Sequence, residues 1–368
     1  MEDRKIRIAI THGDTNGIGY EMIFKTFAAP EMLELCTPII YGSPKVAAYH
    51  RNVLDLQANF SIINSAEEAC DGRLNLLTVL DDDMKVDIGR PTEESGNAAV
   101  KALDRAIDDC QSGLVDAIVG APVGDDNFKT GGMTYDGQTD FLEKKLGSDA
   151  KALRMIVGKR LRVAFVTTEI PLKDVPGAIT QELVEEKAAA LHETLHRDFR
   201  INNPRIAVLA MNPTTGNGYE EDMEETTILK PAIEKLEKSG CPAFGPYAAE
   251  EFFGEAQYMA FDAILAMYKD QGIVPFRTIE HENGLKIAAA MPVVMTMPDM
   301  GAEFRKAGKN EIDEQTMRNA IYSAIDIVRN RADYDDARKD PLKKLYHERR
   351  DESEKVRFNI PKKQVREE

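Results

Sequence analysis

Arg7-Ile8-Ala9-Ile10-Thr11-His12-Gly13-Asp14-Thr15-Asn16-Gly17-Ile18-Gly19-Tyr20-Glu21 runs from a short β-branched segment through a glycine-bearing loop into a helical pattern. The apolar residues before the loop predict a strand over Ile6–Thr11, and those after it a helix over Glu21–Phe27. The glycines permit close backbone approach at the turn. Their spacing differs from G-x-G-x-x-G, so the dinucleotide fingerprint of a Rossmann fold is absent. Taken alone, the loop is a tight strand-to-helix turn.

The same alternation continues along the chain. Strands are expected at Thr37–Tyr41, Leu74–Val79, Ala117–Gly120, Leu161–Thr168, Arg205–Met211 and Leu285–Ala290, and helices at Asn97–Cys110, Gln181–Arg197, Glu224–Lys238 and Thr316–Arg329. Ala263–Met267 is apolar and fits either type. Val184, Ala188, Leu191 and Leu195 recur at helical spacing and share one face. Repeated strand–helix units predict an α/β fold with a mostly parallel sheet. No internal repeat or low-complexity linker marks a boundary. From Asp333 to Glu368 the chain is dense in charge, which predicts a solvated helix followed by a loose tail.

With 368 residues, 43% hydrophobic and 30% charged, there is material for two globular domains. No run reaches the roughly 18 apolar residues of a membrane span, and no apolar leader precedes Ile6, so a cytoplasmic protein is expected. The four cysteines, Cys36, Cys70, Cys110 and Cys241, form no Cys-x-x-Cys pair, as suits a reducing compartment and structural thiols. A net charge of −16 disfavours nucleic acid as a partner and leaves room for a local basic pocket that takes a small anion.

Several ordered segments carry a resemblance. They include Gly13-Asp14-Thr15-Asn16-Gly17-Ile18-Gly19, Glu94-Ser95-Gly96, Asp116-Ala117-Ile118-Val119-Gly120-Ala121-Pro122, Gly137-Gln138-Thr139-Asp140-Phe141-Leu142, Asn212-Pro213, Asp270-Gln271-Gly272 and Ala307-Gly308. From about residue 6 to about residue 330 the chain resembles the NAD-dependent 4-hydroxythreonine-4-phosphate dehydrogenase family. The resemblance implies two α/β/α domains with a cleft between them, of the isocitrate/isopropylmalate dehydrogenase-like kind. It implies a first discontinuous domain over 1–130 plus 300–332, a second over 131–299, and a charged extension over 333–368. It further implies a homodimer, NAD or NADP as hydride acceptor, and a divalent metal on three histidines that polarises the substrate hydroxyl. Ala307, Gly308 and Lys309 fall where the nucleotide would be met.

The chain departs from the family at its chemistry. The three metal histidines correspond to Glu169, Thr214 and Lys269. Threonine is a poor ligand, and a protonated lysine cannot bind a cation at all. No metal is therefore expected. At the substrate positions the family's histidine is Gln138, followed by Thr139. Its phosphate-side lysine is Arg277, its asparagine Lys286, its arginine Met295, and a further lysine Asp125. The opposite-sign replacements predict two new ion pairs, Lys269 with Glu169 and Lys286 with Asp125. His192 and His196, at i and i+4, lie in a charged helix and are expected on a solvated face. Two functions follow. One is a catalytically silent family member that pairs with itself or with an active homologue. The other is a metal-independent dehydrogenase on a different hydroxy acid, with Lys269 and Asp270 as candidate catalytic groups.

Overall fold

A computed structural model describes residues 4–81, 84–124, 126–130, 132–147, 151–213, 223–281 and 284–340. Its strands are β1 Arg7–Thr11, β2 Thr37–Gly42, β3 Ser61–Ile63, β4 Asn75–Thr78, β5 Ala117–Gly120, β6 Lys129–Thr130, β7 Met133–Thr134, β8 Leu153–Val157, β9 Arg162–Phe165, β10 Ile206–Leu209, β11 Ala243–Tyr247, β12 Ala263–Ala266, β13 Leu285–Ala289 and β14 Met295–Pro298. Twelve of them form one sheet in the order β11-β10-β12-β9-β8-β13-β14-β5-β1-β2-β4-β3, while β6 and β7 pair separately. The pairings at both ends are parallel. Those of β13 with β14, β13 with β8, and β8 with β9 are antiparallel.

Side-chain alternation along the strands gives this sheet two unlike faces. Ile8, Ile10, Val119, Ala164, Val208 and Leu265 belong to one hydrophobic cluster that spans both halves of the sheet. Their neighbours Ala9 and Ile118 face a second cluster under one half, and Val163, Phe165, Ala207 and Ile264 face a third under the other. One face is thus covered continuously, whereas the other is covered in two separate patches. The expected cleft opens between those patches, floored by β8 and β13.

The helix Gln181–Arg197 has the expected bounds, and Val184, Ala188, Leu191 and Leu195 are fully buried. The ambiguous segment is strand β12, fully buried at every position. The helix expected over Glu224–Lys238 splits into a π-turn, Glu225–Leu229, and an α-helix, Lys230–Lys238. The helix expected to end at Arg329 continues to Lys339. Its last turns are pinned by ion pairs of Arg197 with Asp335 and Arg200 with Asp333, each 2.7 Å. The charged stretch therefore begins as the expected solvated helix, with surface ion pairs to the helix Gln181–Arg197 and the turn after it, and its residues from 341 onward lie outside the described part. No helix among the described residues is long and apolar enough to cross a membrane.

The helix Glu93–Gln111 opens with a capping box in which Thr92 accepts from Ser95 N and the Ser95 hydroxyl accepts from Thr92 N. The Thr92 hydroxyl also takes a bond from Asn16 of the opening loop. Thr92→Ala is expected to lower stability by about 1 kcal/mol, the usual worth of such a cap, readable as a shift in the urea midpoint at constant slope.

Candidate active site

The loop after β9 and the helix after β12 follow neighbouring strands and lie side by side on one side of the cleft. Thr167 donates its hydroxyl to Met267 O at 2.8 Å, and its amide donates to the same carbonyl. Gln271 accepts from Met267 N at 2.8 Å and donates to Ala210 O at 2.6 Å, tying the ends of β12 and β10 together. Gly272 allows the helix Lys269–Glu280 to press on β9, since a Cβ there would lie 2.6 Å from Val163. These contacts explain the Asp270-Gln271-Gly272 run, and they fix Glu169 and Lys269 opposite one another.

Lys269 Nζ donates to Glu169 Oε1 at 2.7 Å, so the expected pair is formed. Both partners are more than 40% exposed, so the bond contributes less than about 1 kcal/mol to stability. Its consequence is electrostatic: an ammonium stands beside the one carboxylate of the two positions. Among the described residues no group of three or more His, Cys, Asp or Glu converges as on an ion. At these two positions the donor set does not fit a metal. Thr214, the third, lies outside the described residues.

A cavity of about 500 Å³ holds the pair. Gln138, Thr139, Asp270, Arg277 and Lys286, all singled out in the sequence, line it too. Met295 does not. It is fully buried in β14, beside Ile118 of β5, and packs in the core, so the substrate-side assignment of this position is corrected. The cavity is instead met by Met297 from the same strand. The second predicted pair also changes. Asp125 lies outside the described residues, and Lys286 pairs with Asp299 at 3.4 Å. Arg277 grips the same carboxylate with two bonds of 3.0 Å. Burial pushes the Asp299 carboxyl up, but the Arg277 hydrogen bonds and the charges of both cations outweigh burial and hold it below the usual carboxylate range.

Arg154 is a site residue that sequence reading missed. It stands on β8 across from Ala288 of β13, two residues along from the Lys286–Ile156 pair and so on the same face, and lines the same floor. Its guanidinium donates to Thr168 Oγ1 at 2.7 Å and lies 3.9 Å from Glu143. The apolar run Leu153–Val157 that carries it is the signal that was available. Gln138 opens the helix Gln138–Leu146 and is nearly fully buried. Its amide nitrogen donates to Ala121 O at 3.0 Å, and its side-chain oxygen has no partner among the described residues.

Other predicted residues gather elsewhere. Asp14 of the opening loop accepts from Asn16 N, Ser95 Oγ and Asn127 Nδ2. Burial raises its carboxyl despite these bonds. Ala307 is buried, Gly308 takes a left-handed φ of 76°, and Lys309 is exposed. None of the three lines the cavity of Lys269. His192 and His196 lie 6.5 Å apart, partly buried rather than fully solvated, with His196 edge-on to Tyr334. Burial raises the thiols of Cys36, Cys110 and Cys241, as befits structural residues.

Residues 34–324 match the family profile described as pyridoxal phosphate biosynthetic protein PdxA. The chain belongs to this family. It is 48% identical over 359 residues to a 4-hydroxythreonine-4-phosphate dehydrogenase of Bacteroides thetaiotaomicron, covering 98% of this chain and 99% of that protein. A relative of the same name from Geobacter metallireducens is 34% identical over 89% of this chain and 97% of its own length. A crystal structure of a 4-hydroxythreonine-4-phosphate dehydrogenase from Burkholderia phymatum superposes with a TM-score of 0.73, at 30% identity, covering 88% of this chain and 99% of that one. PdxA membership accounts for the fold, and it makes the ion pair of Lys269 with Glu169 the feature that any account of function must address.

Proposed function

We propose that this PdxA-family chain keeps the cleft as a binding site for a small anionic hydroxy acid and does not carry out metal-dependent oxidative decarboxylation. The observation that carries this reading is the 2.7 Å contact of Lys269 with Glu169 at two positions where the resemblance places metal ligands. A fixed ammonium repels a divalent ion and occupies the carboxylate that might have received it. The loss of function as a metal enzyme leaves a scaffold that forms a homodimer, or a heterodimer with an active homologue whose site it completes or regulates.

A nicotinamide cofactor, NAD or NADP, is implied by the family and would supply a hydride acceptor. Gly308 takes a left-handed turn against Ile88 in a loop bearing exposed Arg305, Lys306 and Lys309, whose positive charge suits a pyrophosphate. A second reading rests on the Lys269 amine, which is open to the cavity: with Asp270 beside it, the ammonium would stabilise a developing alkoxide without a metal.

The test is NAD and NADP reduction with 4-hydroxythreonine 4-phosphate, with and without added Zn²⁺ or Mg²⁺. The proposal expects no turnover in either condition. Metal-independent turnover that Lys269→Met abolishes would establish the second reading. Turnover stimulated by metal would refute the proposal.

A further inference from the structure

A second groove, of about 500 Å³, lies on the continuously covered side of the sheet. Its floor includes Val157 and Leu285, which oppose one another in the pairing of β8 with β13. Their neighbours Ile156 and Lys286 face the cleft, so the groove lies behind the cleft floor. One wall is the turn after the helix Gln181–Arg197, with Phe199. The other is the helix Gln315–Lys339, with Tyr322 and Asp326. Tyr322 leaves 39% of its surface open and Phe199 is only partly buried, so the groove offers apolar surface. Of the charged side chains that line it, Asp198 is held by Arg331 through two bonds, and Arg200 pairs with Asp333. Asp326 is exposed and makes no hydrogen bond or ion pair among the described residues. Asp198, Arg200 and Asp326 leave one negative charge in excess, and counting Arg331 and Asp333 with them leaves the same.

The chain carries a segment of complementary character. Asp340 closes the helix at φ −136° and ψ 75°, the extended-side conformation that a following proline imposes, so the chain leaves the helix axis there. The next ten residues are Pro341-Leu342-Lys343-Lys344-Leu345-Tyr346-His347-Glu348-Arg349-Arg350. They hold four lysines and arginines against one acid, with Leu342, Leu345 and Tyr346 between them. Asp326 lies about 21 Å back along the helix from Asp340, at a rise of about 1.5 Å per residue. Ten extended residues span about 33 Å, enough to return to it.

We infer that residues 341–350 turn back at Pro341 and lie in this groove as a strap, with Leu342, Leu345 and Tyr346 against Phe199 and Tyr322 and with Lys343 or Lys344 at Asp326. The strap joins the long helix to the turn after Gln181–Arg197 and braces β8 and β13 from behind the cleft.

The chain contains no tryptophan, so Tyr346→Trp places a single fluorescent reporter in the full chain. Acrylamide is expected to quench it at least about fivefold less readily than the same reporter in a free peptide of residues 341–368, as for a segment that is docked most of the time. Ser323 and Asp326 both stand on the helix wall of the groove. Adding Ser323→Arg and Asp326→Lys fills the groove and reverses its charge. Quenching is then expected to rise to within about twofold of the peptide's, with an unchanged far-ultraviolet circular dichroism spectrum showing that the chain is folded. A reporter quenched as readily in the full chain as in the peptide overturns the inference, whatever the groove variants do. Protection that survives both groove substitutions overturns it as well, because the segment then lies elsewhere. Protection that is lost on dilution overturns it too, because the segment then lies on a second copy of the chain.

Discussion

The triple variant Glu169→His, Thr214→His, Lys269→His is expected to bind Zn²⁺ at least about a thousandfold more tightly than wild type, given the free energies that complete zinc sites reach. Two effects add. The substitutions supply neutral imidazole ligands, and they remove an ammonium that repels the ion. Lys269→His alone removes the repulsion but leaves one carboxylate and one imidazole, too few ligands for a tight site. The full gain therefore requires all three changes. Competition with a zinc-chelating dye reads the affinity directly. Equal affinity in wild type and the triple variant would mean that a metal site exists elsewhere in the molecule.

The second large effect concerns the opening loop. His12 is fully buried, stacked on Tyr20 at 5.5 Å with the rings nearly parallel, and His50 lies on the same tyrosine at 5.1 Å. Burial drives the His12 ring down to about 4, and the His50 charge adds to this. The backbone near Gly13 and Ala98 gives only partial help, and neither ring nitrogen makes a hydrogen bond of sound geometry among the described residues. An unfolded histidine takes up its proton near 6.5. Between pH 6.5 and about 4, then, the unfolded chain binds a proton that the native chain refuses. Stability contributed by neutral His12 is complete above that window and is lost as pH falls through it, by about 3 kcal/mol in total. Burial also lowers His50, which loses stability in the same direction. His12→Phe keeps a ring against Tyr20 and has nothing to titrate. Denaturant unfolding of both proteins from pH 7 to pH 4 is expected to show the variant gaining on wild type by about 3 kcal/mol as acid is added. A difference that stays constant with pH would show that His12 is not held neutral.

Much of the fold was legible because central strands of a sheet covered on both faces are written as short apolar runs. Ile8–Thr11 and Ala117–Gly120 are buried at every position, and both stood out. The strands that escaped were of other kinds. β3 is three residues long at the sheet edge. β8 and β14 belong to the antiparallel middle beside β13, which was expected at Leu285–Ala290; in β8, Arg154 interrupts the apolar pattern because it faces the cleft. The interruption that hid β8 is thus itself a site residue. The helix Lys269–Glu280 was hidden by Gly272 and Pro275, the first required by its contact with β9.

At the site, the pairing of Lys269 with Glu169 was legible because two charges of opposite sign replaced residues that the family holds together. The partner of Lys286 was not. Asp299 sits across a strand pairing and a turn, and the register of β13 on β14, with Lys286 opposite Met297, brings it near. Register of that kind is set by packing. Met295 and Met297, two residues apart on β14, share one face and one hydrophobic cluster; Met297, nearer the end of the strand, also reaches the cavity, whereas Met295 stays in the core.

The account stands on an ammonium in the place of a metal ion, and a calorimetric titration of the wild-type chain with Zn²⁺ at neutral pH addresses it most directly. The account predicts no stoichiometric binding and no change when 4-hydroxythreonine 4-phosphate is present. One tightly bound ion per chain, weakened by Glu169→Gln, would contradict it.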